Sequence, residues 1–183
     1  RGAAVAGVAD AMFSLGKCYF DGDGIAQSHE EAAVWFRKAA DAGSMPALQR
    51  VALGGDATAM YRVAMCYAHG DGISQDESLA VRWYTRAAES GHSAAMNTLG
   101  RRYFSGRGVD RDIVAAVHWY QQAAAAGHPK AMFNLGLCYV RGTGVDRSHE
   151  MAASCFQSAA EAGHAKSMFK LGLCYAEGLG VAQ

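Results

Sequence analysis

The chain has 183 residues, with seventeen Lys plus Arg balanced by seventeen Asp plus Glu. Nucleic-acid-binding surfaces carry a basic excess, so this balance gives no support to a nucleic-acid partner. No apolar run approaches the roughly 18 residues that cross a bilayer, and no basic segment followed by an apolar one opens the chain. The expectation is a soluble protein without direct membrane insertion.

Residues 1–10 come first. Ala3-Ala4-Val5-Ala6-Gly7-Val8-Ala9-Asp10 aligns with Ala123 to Lys130, the tail of a second helix, so a partial unit is expected there. The first full unit starts at Ala11. Its first helix places Met12, Leu15, Gly16 and Tyr19 on one face at helical spacing. It stops at Gly22 and Gly24, residues suited to the positive φ of a helix end and tight turn. Ile25 follows and is expected to plug the loop into the core. Ser28 opens the second helix, with Glu31 at capping-box spacing. Ala32, Trp35, Phe36, Ala39 and Ala40 then form its apolar stripe, and Gly43 closes it. The small residues would let the helix backbones approach, with Trp35 and Tyr19 filling the space between.

Residues 44–58 form an irregular joint. Ala47-Leu48-Gln49-Arg50-Val51-Ala52-Leu53 copies the start of the next unit, Ala59 to Met65. Two readings stay open: a unit lacking its middle, or a short extra helix opened by Ser44 and Pro46 and closed by Gly54-Gly55. The pattern then returns from Ala59, Ala95, Ala131 and Ser167, so the unit starts are separated by 48, 36, 36 and 36 residues. Gly70/Gly72, Gly106/Gly108, Gly142/Gly144 and Gly178/Gly180 repeat the glycine pair, each followed by Ile or Val. Asp76, Asp112 and Ser148 repeat the capping residue, and Gly91, Gly127 and Gly163 the closing glycine. Such periodicity marks a solenoid, because one hairpin cannot bury its own faces. Both ends fall inside a unit, so residues 1–183 are expected to be one array, itself a fragment of a longer one.

Leu99-Gly100-Arg101-Arg102-Tyr103, Gly106-Arg107-Gly108-Val109 and Ala116-Val117-His118-Trp119-Tyr120, completed by Ala123-Ala124 and Gly127-His128, resemble the Sel1-like repeats, relatives of tetratricopeptide repeats. The expected fold is all-α: an α-solenoid of stacked helix–turn–helix repeats of 36 residues, wound as a right-handed superhelix. The resemblance implies an adaptor or scaffold role and no particular partner. Cys155 stands where the repeat has tryptophan, which puts the packing of the fourth hairpin in question.

Several constellations invite a chemical reading. Ser14-Leu15-Gly16-Lys17 and Ser167-Met168-Phe169-Lys170 match the Ser-x-x-Lys pattern of penicillin-binding enzymes, but no Ser-Asp-Asn or Lys-Thr-Gly accompanies them. A β-lactam-binding or β-lactamase-like enzyme is therefore the rival reading, and a structural spacer is another. His92, His128 and His164 recur too far apart to share a metal ion. They read as helix C-terminal residues facing free carbonyls. Cys18, Cys66, Cys138 and Cys174 share one repeat position, too widely separated for disulfides. Buried thiols of this kind favour a reducing compartment. Asp21-Gly22-Asp23-Gly24 becomes Arg141-Gly142-Thr143-Gly144 elsewhere, so the loop repeats a geometry, not a calcium site. No cofactor, metal or catalytic residue is expected.

A protein or peptide partner is expected on the concave surface that first helices line in tetratricopeptide-like arrays. Opposite the core positions stand Phe13, Lys17 and Phe20 in the first unit, and Tyr61 and Met65 in the second. Asn97, Arg101 and Phe104 follow in the third, Phe133, Leu137 and Val140 in the fourth, and Phe169 and Leu173 in the last. These positions vary while the core positions hold, as a partner-binding face does.

Overall fold

The computed structural model describes residues 2–70 and 73–181, with side chains for 7–32, 34–70 and 73–181. Gly72, the second glycine of its pair, lies outside the described residues. These residues form ten helices and no strand: α1 Gly2–Asp21, α2 His29–Asp41, α3 Met45–Leu53, α4 Ala57–His69, α5 Glu77–Glu89, α6 Ser93–Ser105, α7 Ile113–Ala125, α8 Pro129–Arg141, α9 His149–Glu161 and α10 Ala165–Glu177. Two compact units contain them, Arg1–Ser90 and Gly91–Gln183. In the first, α1 packs on α2 and α4 on α5, with α3 against both α2 and α4. In the second, α6–α7 and α8–α9 are hairpins, α7 packs on α8, and α9 packs on α10.

A missing side chain closes three of the four hairpins, and the small Ala64 holds the same position in α4. A Cβ on Gly16 would lie 2.7 Å from the Phe36 ring, one on Gly100 2.5 Å from Tyr120, and one on Gly136 2.6 Å from Phe156. Those rings are buried, at 4%, 4% and 1% exposure. They sit one residue after the tryptophan position. Trp35, Trp83 and Trp119 are only half-buried, and the cations of Lys38 and Arg86 lie over Trp35 and Trp83. The expectation that the tryptophan fills the core is thus corrected. On α2 the buried stripe runs through Ala32, Phe36, Ala39 and Ala40, which leaves position 35 at its shoulder. Cys155 costs the fourth hairpin little for the same reason, since Phe156 holds the interior site.

The second helices open as their capping chemistry requires. Ser28, Asp76, Asp112 and Ser148 each accept a hydrogen bond from the backbone N–H three residues on. Their own N–H groups donate to the carbonyls of Tyr19, Tyr67, Tyr103 and Tyr139, which ties each loop to the helix before it. Glu31 therefore has no free N–H on Ser28 to complete the capping box. Val145 packs against the core of the second unit, whereas its counterpart Ile25 is exposed.

At the start of the chain the structure departs from the repeat. α1 runs unbroken through Gly7, although the repeat calls for a helix end there. The residue that should open a new helix is Val8, which has no side-chain acceptor for the orphan N–H groups. The joint after Gly43 holds α3, with Pro46 in its first turn and Gly54 as its C-cap.

Candidate functional site

Where the first helices begin, the histidines act as N-caps. His92 Nδ1 accepts from the Ala95 N–H at 3.2 Å, and His128 Nδ1 from the Ala131 N–H at 3.3 Å. Asp56 does the same for Ala59 in α4. This corrects the C-terminal reading. The preceding glycine ends one helix, and the imidazole opens the next by satisfying an N–H that has no helical partner. Accepting through Nδ1 requires the neutral ring. Burial holds His128 below the usual histidine value, and Lys130 pushes the same way.

In α10 the residue three after the histidine is Ser167, and its hydroxyl takes over the contact, 2.9 Å from His164 Nδ1. Ser167 is fully buried. The other Ser-x-x-Lys serine, Ser14, is exposed on α1 and donates to the Asp10 carbonyl.

The expected binding positions divide into two groups. Asn97 is interior, 6% exposed, and accepts from Asn134 Nδ2 at 3.0 Å, a bond that joins α6 to α8. Phe104 packs against the core formed by Ala116, Val117, Tyr120, Leu135 and Cys138. Asn97 is thus corrected from surface to interior, and Phe104 is half-buried against that core. Phe13, Tyr61 and Phe133 lean on the buried ring of their own hairpin, at 5.5, 5.5 and 5.8 Å between centroids from Phe36, Tyr84 and Phe156. Phe20 lies beneath the Arg50 guanidinium. Leu137, Val140 and Leu173 are half-buried; Lys17, Met65, Arg101 and Phe169 are exposed.

In the second unit the structure brings some of these together. Phe133 and Phe169, with Ala165, Lys166 and Lys170, line an open cavity of about 380 Å³ where α8 and α10 face each other. Phe133 is held from behind by Phe156 and by the His164 ring, 5.0 Å away. Phe169 is 67% exposed. Motif reasoning misses Lys166 and meets Lys170 only as a catalytic base. Spacing is the signal that finds both, because residues 166, 169, 170 and 173 lie on one helical stripe.

Burial raises the thiols of Cys138 and Cys155, the latter to about 11, with Cys138 adding to the shift on Cys155. Both therefore stay protonated and unreactive near neutral pH. Among the described residues, no three His, Cys, Asp or Glu side chains gather as a metal site, and no helix is long and apolar enough to cross a membrane.

The Sel1 repeat pattern matches residues 9–44, 57–92, 93–128, 129–164 and 165–183. The chain belongs to the Sel1 repeat family. Solved structures agree in fold. The protective antigen c5321 of uropathogenic Escherichia coli, described as having an SLR fold, is 32% identical with a TM-score of 0.71; the match covers 97% of this chain and 35% of that one. A Sel1 repeat protein from Oxalobacter formigenes is 30% identical with a TM-score of 0.68, covering 95% and 67%. Cysteine rich protein B of Helicobacter pylori shares the fold at 20% identity and a TM-score of 0.56, covering 70% and 98%. This chain thus spans about a third of the length of the E. coli antigen. No curated protein matches the sequence. Sel1 repeats generally mediate protein–protein interactions, and the family is typically non-enzymatic.

Proposed function

We propose that this Sel1 repeat chain is a non-enzymatic interaction scaffold that holds a peptide or a helix on its first-helix face. One observation supports the reading: a single repeat position on successive first helices, held by Lys17, Met65, Arg101, Leu137 and Leu173, stays exposed or half-buried and changes chemistry from unit to unit, while the interior rings Phe36, Tyr84, Tyr120 and Phe156 are kept. The rival enzymatic reading needs an accessible serine beside a lysine. Ser167 is instead buried against His164, and the exposed Ser14 spends its hydroxyl on the Asp10 carbonyl of its own helix, which favours the scaffold.

The test selects short random peptides on the immobilised chain and measures the winners against Arg101→Ser and Leu137→Ser. Arg101 is exposed and Leu137 half-buried, so both variants should stay folded and melt close to the wild type. Selected peptides should lose about tenfold or more in affinity, as truncating a central anchor does. Unchanged affinity would move the binding surface off this face, and failure to select any peptide would favour a structural spacer.

A further inference from the structure

The hairpin of α6 and α7 departs from the aromatic pattern of the others. Elsewhere Phe13, Tyr61 and Phe133 lean on the interior ring of the following second helix, at 5.5, 5.5 and 5.8 Å between centroids. Here Asn97 holds that position, and the interior ring is Tyr120. The amide is 6% exposed, so it forfeits the apolar packing of a ring and must satisfy its polar atoms instead. Its Oδ1 accepts from Asn134 Nδ2 at 3.0 Å, whereas its own Nδ2 donates to no group among the described residues. The Ser44 hydroxyl is the one fully buried side-chain polar atom without a partner among the described residues. Asn97 Nδ2 therefore reaches solvent, and so does the unpartnered Tyr120 hydroxyl.

Arg101 stands one turn after Asn97 on the same side of α6. It is exposed and forms no ion pair among the described residues. The spans of α6, α7 and α8 contain no Asp or Glu to pair with it. The Tyr120 ring packs on Gly100, the residue before Arg101. Burial and Cys138 push the Tyr120 pKa up, and the nearby Arg101 works against them. The second helix that covers this position elsewhere in the repeat, here α7, is present. The opening thus belongs to the hairpin itself.

We propose that Asn97, Arg101 and Tyr120 form a carboxylate site on the first-helix face, which takes an Asp or Glu side chain of the bound peptide. The proposal rests on the scaffold reading above and adds the chemistry of the partner. Arg101 supplies the charge, while the Asn97 amide and the Tyr120 hydroxyl supply neutral donors. Asn134 is a positioning residue: by donating to Asn97 Oδ1 it leaves Nδ2 as the free donor. One cation matches the single charge of a carboxylate better than the greater charge of a phosphate ester. An acidic side chain can enter at any point of a peptide laid along the helices. A terminal carboxylate fits only a peptide that ends there.

The experiment uses the selected peptides, made with free and with amidated C-termini. Enriched sequences should share an Asp or Glu, and changing it to Asn or Gln should cost about tenfold or more in affinity. Arg101→Gln should cost the wild-type peptides as much, and Arg101→Lys should recover part of it. Against Arg101→Gln the acidic peptides and their amide counterparts should bind alike, which ties the acid to this arginine. Asn97→Phe supplies the ring that the other hairpins have, so it should stay folded and lose the same preference for acid. Arg101 is exposed, so Arg101→Gln decides the question whatever the fold of Asn97→Phe. Peptides that depend on Leu137 but carry no acid, and bind Arg101→Gln equally well, would overturn the carboxylate site and leave the scaffold reading standing. Peptides indifferent to Leu137→Ser and Arg101→Ser alike would overturn both. Binding lost on amidation, with no acid inside the peptide, would assign the site to a chain terminus and overturn the side-chain assignment.

Discussion

In residues 1–90 several cations along the helices are engaged from within. Arg62 donates to Asp41 Oδ1 at 2.7 Å and to the Ala40 carbonyl at 2.9 Å. Arg37 lies 3.8 Å from Asp56, and the Arg50 guanidinium sits 4.1 Å over the Phe20 ring. In residues 91–183 the repeat position of Arg62 is held by Thr98, Asn134 and Lys170. Asn134 bridges to Asn97, while Lys170 lines the open cavity. One hairpin design thus supports two uses of the same position, as an internal tie or as an outward charge. The repeat prescribes the ring, a small residue facing it and the second-helix caps, and it leaves this position to the individual unit.

The largest effects should come from what the units share. Phe156→Ala and Phe36→Ala should each destabilise by about 3–5 kcal/mol, the usual cost of deleting a buried aromatic. Urea midpoints decide it, and a small change in either unit would break the claim of a common interior. Trp119→Ala should cost less, roughly 1–2 kcal/mol, since only part of its apolar surface leaves water.

Next come two glycines at one repeat position. Gly136→Ala forces a methyl against the Phe156 ring and should cost about 1–3 kcal/mol by overpacking. The ring position that faces Gly172, 20 residues on, falls outside residues 1–183, and a Cβ there would meet nothing within 4 Å, so in this chain Gly172→Ala should stabilise α10 by up to about 1 kcal/mol through helix propensity. Thermal melts of the pair should shift in opposite directions. Shifts of the same sign would mean that the ring contact does not set the cost.

Charge removal should be smaller still. Arg62 and Asp41 are 39% and 66% exposed, so Arg62→Ala should cost only about 0.2–1 kcal/mol. Lys170→Ala should leave stability within about 0.5 kcal/mol, as surface changes do. Equal losses would erase the contrast between the units.

The smallest effect is a pH slope from one cap. The folded His128 value lies below its ordinary 6.5, so near that pH the unfolded chain binds more protons and stability rises with pH. The cap's contribution is complete above about pH 6.5 and is lost as pH falls through the folded value. Lys130 and His92 face the ring and act in the same direction. His128→Asp keeps an N-cap acceptor and should flatten the slope that sets in as pH falls below the ordinary histidine value in denaturant titrations.

Periodicity made the hairpins, their loops and most caps readable. Glycine pairs at one interval left no other phase, and Ser28, Asp76, Asp112 and Ser148 announced their helices. Two adjacent aromatics were harder to order. Trp119 and Tyr120 both fit a broad apolar stripe, and only the glycine opposite, Gly100, selects Tyr120 for the interior. His128 misled because it adjoins a helix end and a helix start, and a residue count cannot say which one its ring serves. The face residues were legible as positions but not by depth. Asn97 and Phe104 are drawn inward by neighbours in adjacent helices, which one helical wheel does not contain.

The loop glycines carry a consequence for how such a chain can change length. A Cβ on Gly144 would meet Ile113 and Val117 at 2.8 and 2.9 Å, and one on Gly180 would run into the backbone of His149. Each loop therefore docks on the opening turn of the preceding second helix, 31 residues earlier in both cases, and does so through its bare backbone. Gly144 meets side-chain carbons of Ile113 and Val117 and Gly180 the backbone of His149, so what recurs is a bare glycine seated on one helix turn and not one set of partner atoms. Excising residues 129–164 would bring Gly180 over Ile113, which already accepts Gly144. A junction of this kind is universal in the way of a standard thread: whole turns can be added or removed, and the pieces still fit.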